Sequence, residues 1–122
     1  MTFDKHIGMK STDSDQHEAF IDTEPHHLNP TGNINGGVII SLADNLSTGA
    51  ANHFWHEKTG ERAFMVGVDL HAVMLTNQQG GRITARSIPV RVGRRITVIR
   101  TTVTGTDERV LAEITTTHVP VT

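Results

Sequence analysis

A polar loop ends in two glycines, and an apolar helix that carries a single acid follows it. The loop runs from Asn29 to Gly37, and the acid is Asp44. Backbone N–H groups at a helix start lack intrahelical partners, and the helix dipole adds positive charge there. Because Gly36 and Gly37 have no side chains, a carbonyl oxygen could reach these N–H groups, as in an oxyanion hole. Alternatively, the glycines only allow the tight turn into the helix.

Asp44 lies in the second helical turn, too far in to cap the helix. Small residues share its face, so the carboxylate is either partly desolvated, as suits a general base or nucleophile, or a surface acid. Asp44 follows Gly36 by eight residues, which is about 12 Å along a helix axis. One carboxylate cannot span that gap to a carbonyl held at its own helix start. If both groups act on one substrate carbon, they must come from different subunits.

Three further polar side chains lie close to this pair in the sequence. Asn29 and Asn35 bracket the loop, and either could hold a carbonyl, orient a water molecule or cap the helix. Thr48 comes one turn after Asp44 and could bond to a water, to the acid or to its own helix.

Two other groups suit ligands by residue type. Arg91, Arg94 and Arg95 could bind a phosphorylated ligand tail, or could form a solvated edge that resists strand pairing. His53 and His56 are spaced for one helix face, but no third ligand is evident, so the sequence predicts no metal site.

Composition narrows the classes of function. The chain has 122 residues, which predicts one domain, and its net charge of −2 argues against nucleic acid as a partner. The lack of cysteine excludes disulfides, thiolate metal sites and a cysteine nucleophile, and favours a cytoplasmic location. Residues 1–16 contain no apolar signal core, and no window is apolar enough to span a membrane, so no membrane partner is expected.

The sequence pattern indicates the elements that must position these groups. Residues 1–15 read as a mobile or loosely docked arm, and residues 16–122 as a single domain. Apolar residues at steps of three and four predict a helix from Gly36 to about Glu57. Period-two alternation predicts a short strand before the loop and four more after the helix, arranged as an antiparallel meander. The predicted strands cover about 17–23, 66–74, 83 to a stop at Pro89, 96–103 and 110–119.

The predicted helix has a second face of small and polar residues. Its members are Gly37, Ser41, Asp44, Ser47, Thr48 and Ala51. One helix and a sheet of this size bury each other on one face only, so the second face needs another cover. A symmetry-related copy would supply it, which predicts a dimer.

The stretch Asn29-Pro-Thr-Gly-Asn-Ile-Asn-Gly-Gly-Val-Ile-Ile-Ser-Leu-Ala-Asp44 resembles the signature of hotdog-fold thioesterases of the phenylacetate-degradation (PaaI-like) type. Their pattern is roughly an Asn, a Gly-x-x-His-Gly-Gly, and a helix that reaches Leu-Ala-Asp or Leu-Ala-Glu. The order of elements is also similar over about residues 17–119. The resemblance implies an α+β hotdog fold, in which a sheet wraps one long helix and the strand Val66–Met74 pairs across a dimer.

The resemblance also implies roles for individual residues. Asp44 matches the catalytic carboxylate, Gly36 the N–H that polarises the thioester carbonyl, and Asn29 the residue that places the water or carbonyl. Asn35 stands where the family usually has histidine and cannot shuttle a proton near neutral pH. Gly67 stands where serine is common, which leaves room for a bulkier acyl group. Implied substrate contacts are Gly37, Thr48, Gly67 and Val68, and implied coenzyme A contacts are Arg94 and Arg95.

The leading hypothesis is therefore an acyl-CoA thioesterase, a hydrolase that acts as a homodimer or a dimer of dimers (a homotetramer). Coenzyme A is part of the substrate, no other cofactor is expected, and aromatic acyl groups are implied at the level of the family. One alternative is a non-catalytic hotdog module that binds acyl-CoA or an acyl carrier. Another is a hotdog hydratase or dehydratase, which would need a histidine base, and His26 and His27 are the only loop candidates.

Overall fold

One long helix lies against a six-stranded antiparallel sheet. The computed structural model describes residues 1–12 and 17–121. In chain order the elements are α1 (Phe3–His6), β1 (Lys10–Ser11), β2 (Glu18–Asp22), α2 (Gly36–Thr59), β3 (Phe64–Met74), β4 (Arg82–Val92), β5 (Thr97–Thr104) and β6 (Val110–Val121). Helix α2 packs against strands β2 to β6. This is the α+β hotdog architecture that the sequence predicted.

Helix α2 has a defined stop signal at each end. Asn35 is the N-cap, and its side chain accepts a hydrogen bond from the Gly37 N–H. Gly60 ends the helix in the left-handed region at φ 70°, where a residue without Cβ is unstrained. The helix therefore extends to Thr59, two residues beyond the predicted end.

The main core lies between the apolar face of α2 and the inner face of the sheet. From the helix it contains Ile39, Leu42, Ala43 and Leu46, all buried. A smaller cluster farther along the helix joins Ala51 and Trp55 to Met65 and Ile99. Ser47 and Ala51 are fully buried within the single chain. The prediction that the second helix face as a whole needs an outside cover is therefore wrong, because strands of the same chain already cover part of it.

The predicted meander is only partly correct. The strand order is β1-β2-β4-β5-β6-β3, so β4, β5 and β6 are neighbours in series, whereas β3 pairs with β6 at the far edge. The connection from β3 to β4 covers residues 75–81, too long for a tight hairpin, and lets the chain cross to the other side. Periodicity identifies a strand but not its neighbours. This pairing sets Gly67 opposite His118.

Strand β4 does not stop at Pro89, as predicted, but continues to Val92. Strand β2 pairs only with residues 82–86 of β4, so Pro89 lies beyond the reach of that neighbour. The ladder to β5 is irregular between Pro89 and Arg91. Proline is tolerated where a strand has an open side or a bulge, since no ladder hydrogen bond is lost.

The N-terminal segment is docked rather than loose over residues 1–12. Ile7 is buried in the main core, and β1 pairs with β2. The expectation of a mobile or loosely docked arm is wrong for this part, because an apolar side chain and a strand pair attach it. Residues 13–16 lie outside the described residues, so the domain boundary at residue 15 stays a prediction.

The two edges of the sheet differ in length and character. One edge is the two-residue strand β1, and the other is the eleven-residue strand β3. The β3 edge and the residue after it expose Phe64, Val68, Leu70, Val73, Met74 and Leu75. A long apolar edge with open backbone groups is a surface for pairing with another strand. Over residues 1–12 and 17–121, no helix combines the length and the apolar character that crossing a bilayer requires.

Candidate active site

The loop before α2 is organised by the side chain of Asn29. Its Oδ1 accepts hydrogen bonds from the Thr31 N–H at 3.0 Å, the Thr31 hydroxyl at 2.7 Å and the Asn33 N–H at 3.1 Å. The oxygen of Asn29 therefore shapes the loop. Its amide nitrogen has no hydrogen bond within the described residues and is the part of the side chain left for a substrate or water.

Asn35 binds one of the two glycine N–H groups that were predicted to be open to a carbonyl oxygen. Its Oδ1 accepts from the Gly37 N–H at 2.8 Å, which leaves the Gly36 N–H without a hydrogen bond to another described residue. Helix capping, one of the roles predicted for Asn35, is therefore confirmed, and it makes the Gly37 N–H unavailable to a carbonyl. Gly36 alone presents a donor at the positive end of the helix dipole.

A buried histidine supports the loop from behind. His27 is 2% exposed, its Nδ1 accepts from the Glu24 N–H at 2.9 Å, and its Nε2 donates to the Ile7 carbonyl at 2.9 Å. Because Nδ1 accepts, the ring proton must lie on Nε2. The His27 carbonyl accepts the Asn35 N–H at 2.9 Å. Both ring nitrogens are therefore in use, and His27 is unsuited to the base that a hydratase needs.

The segment between β3 and β4 clamps the same loop. The Ile34 N–H donates to the Gln78 carbonyl at 3.1 Å, and the Asn77 amide donates to the Ile34 carbonyl at 2.7 Å. The Gln78 side chain in turn accepts from the Thr106 N–H at 2.9 Å. A Cβ at Gly105 would lie 1.9 Å from Gln78 Oε1, so any other residue there would displace the Gln78 amide. These contacts fix the position of the helix start.

Asp44 opens onto a shallow concavity of about 240 Å³. The residues that line it are Asp44, Gly67, Val68, Asp69, Leu70 and Thr116. The structure thus brings two predicted substrate residues, Gly67 and Val68, beside the predicted acid. The Asp44 side chain is exposed in the single chain.

Thr48 lies one helical turn beyond Asp44, as predicted. Its hydroxyl donates to the Asp44 backbone carbonyl at 3.1 Å and not to the carboxylate. This bond within its own helix was the structural alternative raised from the sequence. The Ser47 hydroxyl donates to the same carbonyl, also at 3.1 Å.

His118 lies behind Gly67 and was not identified from the sequence. It is fully buried, and a Cβ at Gly67 would lie 3.7 Å from both Cε1 and Nδ1 of its ring. Nε2 lies 2.8 Å from the Thr116 hydroxyl, and Nδ1 has no partner among the described residues. Burial lowers the pKa of His118, and the charge of Asp44 opposes that shift. Only the β3–β6 register places this ring near Asp44.

Arg94 and Arg95 lie in the turn between β4 and β5, away from the Asp44 concavity. The Arg94 carbonyl accepts the indole N–H of Trp55 at 3.0 Å, which fixes the turn at the C-terminal end of α2. A second concavity of about 520 Å³ opens at that end of the helix. Asn52, His53, His56, Arg62, Ala63 and Phe64 line it. The predicted coenzyme A residues Arg94 and Arg95 are not among these lining residues, and Arg62 is a basic group that was not singled out from the sequence.

Strand β3 runs past both halves of the candidate site. Gly67 and Val68 adjoin Asp44, whereas a Cβ at Gly36 would lie 3.6 Å from the Met74 methyl group. Gly36 and Asp44 belong to one helix and are about 12 Å apart along its axis. Within one chain, the donor and the acid therefore do not face one substrate carbon.

Comparison with solved structures agrees with this fold. A thioesterase from Haemophilus influenzae has a TM-score of 0.86 at 23% identity, over 97% of this chain and 81% of that one. A mutant of the phenylacetic acid degradation protein PaaI from Thermus thermophilus has a TM-score of 0.82 at 23% identity, over 98% of both chains.

Sequence comparison reaches the family. A protein of Haemophilus influenzae named "putative esterase" is 31% identical over 96 residues, which span 76% of this chain and 66% of that protein. A Mycobacterium tuberculosis protein with the same description is 29% identical over 90% of this chain and 79% of its own length. The model of the thioesterase superfamily matches residues 31–112, more than half of the chain. The chain therefore belongs to the thioesterase superfamily, as a thioester hydrolase with a PaaI-like hotdog fold.

Proposed function

We propose that the protein hydrolyses acyl-CoA thioesters to the free acid and coenzyme A, in a site that a homodimer completes. The observation that carries this proposal is the placement of Gly36 and Asp44. The unpartnered N–H and the carboxylate lie on one helix, about 12 Å apart along its axis. A thioester carbonyl held at Gly36 of one subunit must therefore meet Asp44 of the other.

The exposed β3 edge supports such a dimer. Antiparallel pairing of β3 with its copy would extend the sheet across a two-fold axis and cover its exposed apolar residues. Because Gly67 adjoins Asp44 and Met74 adjoins Gly36, this pairing directs each Met74 end toward the partner's Gly67 end. Each Gly36 then approaches the Asp44 of the other chain.

Asp44 acts as the general base in this site. It accepts a proton from a water molecule, whose oxygen adds to the thioester carbon. The Gly36 N–H at the helix start stabilises the oxyanion that forms. The intermediate collapses with cleavage of the C–S bond, and the sulfur leaves as a thiol with the proton that Asp44 held. The amide nitrogens of Asn29 and Asn35, whose oxygens are occupied, are available to place the carbonyl and the water.

The basic end of α2 suits the nucleotide part of coenzyme A. Arg94 and Arg95 are exposed in the turn that contacts Trp55 at this end of the helix, and Arg62 lines the larger concavity there. His56, on the rim of that concavity, is twelve residues beyond Asp44, about 18 Å along the helix. An extended ligand with an anionic end fits a site with this separation. The absence of a side chain at Gly67 leaves room beside Asp44, and aryl acyl groups are the first class to test.

Thiol release from aryl, short-chain and long-chain acyl-CoAs tests the activity. We expect the wild type to turn over one of these classes and Asp44→Asn to lose about 10²- to 10⁴-fold in kcat, the range of general-base catalysis. Asp69→Asn is the matched control, because Asp69 lines the same concavity, and it should retain activity within a few-fold. If a folded dimer releases no thiol from any acyl-CoA, acyl-carrier thioesters are tested next, and failure there favours the binding module.

Mixed dimers test the shared site. Gly36→Pro removes the proposed donor and is compatible with the helix, since proline is well tolerated at the first helical position and Asn35 already has φ −62° and ψ 128°. Neither Gly36→Pro nor Asp44→Asn should be active alone. Coexpressed, they form mixed dimers with one intact site, and about a quarter of the wild-type activity should return. No recovery in isolated mixed dimers would contradict a site built from two chains.

A further inference from the structure

Three polar side chains on the inner face of the sheet form a group that the proposed chemistry does not use. Thr97, Thr116 and His118 are buried to 1% exposure or less, amid a core that is otherwise mainly apolar. Thr97 lies directly opposite His118 on β5, and Gly67 lies opposite it on β3. Two atoms of the group, Thr97 Oγ1 and His118 Nδ1, are buried with no partner among the described residues.

Thr116 connects this group to Asp44. Residues two apart on a strand share a face, so Thr116 and His118 both point toward α2. The Thr116 hydroxyl lies 2.8 Å from His118 Nε2, and Thr116 also lines the concavity that contains Asp44. The group therefore extends from the interior of the sheet to the site of the proposed reaction.

The direction of the hydrogen bonds follows from counting donors. A neutral imidazole has one N–H and one acceptor nitrogen, and each threonine hydroxyl has one proton to donate. If His118 carries its proton on Nδ1, that N–H is a buried donor with no acceptor among the described residues, and Thr116 donates to Nε2. If the proton is on Nε2, Nδ1 is left only as an unused acceptor, which is more often tolerated in a buried site than an orphaned N–H, and Nε2 donates to Thr116. The Thr116 proton is then directed into the concavity, where a carboxylate and water accept it.

The electrostatic setting is consistent with a neutral ring. Burial lowers the pKa of His118, and the opposing effect of the Asp44 charge is smaller. A neutral ring is what the donor count requires, because an imidazolium would donate from both nitrogens.

We propose that Thr116 is a catalytic residue whose hydroxyl donates to the attacking water, and that His118, protonated on Nε2, is a positioning residue that holds this hydroxyl. The water donates to Asp44 and accepts from Thr116, and its remaining lone pair points at the thioester carbon. This inference rests on the proposed hydrolysis, and it assigns to this chain a hydroxyl on β6 in addition to the residues of the loop and helix.

Substitution of Thr116 tests the hydroxyl. Thr116→Val keeps the shape and removes the donor, and we expect kcat to fall about 10- to 100-fold while KM stays within about twofold, as for a misplaced reactant. Thr116→Ser keeps the donor and should restore kcat to within a few-fold of the wild type. Thr117→Val is the control, since its side chain points to the other face of the sheet. Wild-type kcat in Thr116→Val, or equal losses in the valine and serine variants, would overturn the proposal.

A double-mutant cycle tests the link to His118. We expect His118→Phe to lower kcat without raising KM, and the double variant His118→Phe with Thr116→Val to lose no more than Thr116→Val alone, because both remove one interaction. Additive losses would show that His118 does not act through Thr116.

The tautomer provides a readout that does not depend on activity. Two-bond ¹H–¹⁵N correlation spectra of wild-type protein should show His118 neutral, with its proton on Nε2 and a bare Nδ1. A proton on Nδ1 would overturn the positioning role even if hydrolysis is confirmed. If the tautomer is as expected but no thioester is turned over, the proposed hydrolysis is wrong. The hydrogen bond between His118 and Thr116 is then a structural feature without a role in catalysis.

Discussion

The two buried histidines, His27 behind the loop before α2 and His118 behind strand β3, are hydrogen-bonded in different ways. Both nitrogens of His27 bond to backbone groups, and its carbonyl holds the N-cap residue Asn35. His118 bonds through one nitrogen to a side chain, and its other nitrogen has no partner among the described residues. We call the loop around His27 the loop wall and the sheet around His118 the strand wall. The loop-wall histidine thus bonds only to backbone groups, whereas the strand wall contains buried polar atoms without a partner among the described residues. The difference separates a histidine that holds the backbone of a loop from the one to which we assign a positioning role.

Replacing His27 should have the largest effect on stability. His27→Phe leaves the Ile7 carbonyl without its buried partner, which costs about 1–3 kcal/mol, and removes the part-buried bond from the Glu24 N–H, which is worth about 1 kcal/mol. We therefore expect the free energy of unfolding to fall by about 2–4 kcal/mol in urea titrations at fixed protein concentration. A loss below about 1 kcal/mol would show that these bonds do not hold the loop.

Removing the cap tests the loop wall more locally. Asn35→Ala frees the Gly37 N–H, and loss of such a cap typically costs about 1 kcal/mol. Asn35→Asp keeps an acceptor at the same place and is the control. Denaturant midpoints of the two variants should therefore differ, with alanine the less stable. Equal midpoints would mean that the cap contributes nothing measurable to the start of α2.

The strand wall should give the protein an acid sensitivity. Because burial lowers the pKa of His118 in the folded state, the unfolded chain binds a proton there first as the pH falls. Stability should decrease from about pH 6.5, the ordinary histidine pKa, down to the lowered folded value, and level off below it. Comparison of urea midpoints with those of His118→Phe isolates this slope. The same slope in the variant would assign it to another group.

The smallest effect is expected for His118→Phe well above that range. The substitution keeps a buried ring, removes the unpartnered Nδ1 and leaves only the Thr116 hydroxyl without its bond. We expect a change within about 1 kcal/mol at pH 8, since an orphaned polar atom is removed as one hydrogen bond is lost. If His118→Phe lowers the free energy of unfolding as much as His27→Phe does, the two histidines do not differ in their contribution to stability.

Local patterns predicted the parts of the site that lie close together in the sequence. The step of three and four residues located α2, and the loop residues next to it led to Gly36, Asn35 and Asp44. The prediction that two subunits share the site came from the helical rise between Gly36 and Asp44, and it stays a prediction. The family, the fold and the proximity of Gly67 to Asp44 agree with those expectations.

Features that depend on pairing over a distance were missed. Nothing in the alternation of β3 indicates that it pairs with β6 rather than β4, so His118 could not be assigned to the back of Gly67. The predicted end of the strand at Pro89 was wrong for a similar reason. Proline is acceptable there only because β2 pairs with residues 82–86 of β4 and does not reach Pro89. Residues 1–12 contain too few apolar residues for the sequence to predict that Ile7 is buried in the core.

The position of β3 also has a consequence for synthesis of the chain. This strand is made before β4 and β5, yet its partner within the chain is β6, which follows both and ends at Val121. Until β6 has emerged, the apolar β3 segment has no strand beside it on either side, and such a nascent strand is exposed to aggregation. A stalled or shortened product would keep the helix, the glycine loop and Asp44, but it would lack the β6 support on which β3 depends. We expect the ribosome-bound intermediate to depend on chaperones until the last strand pairs.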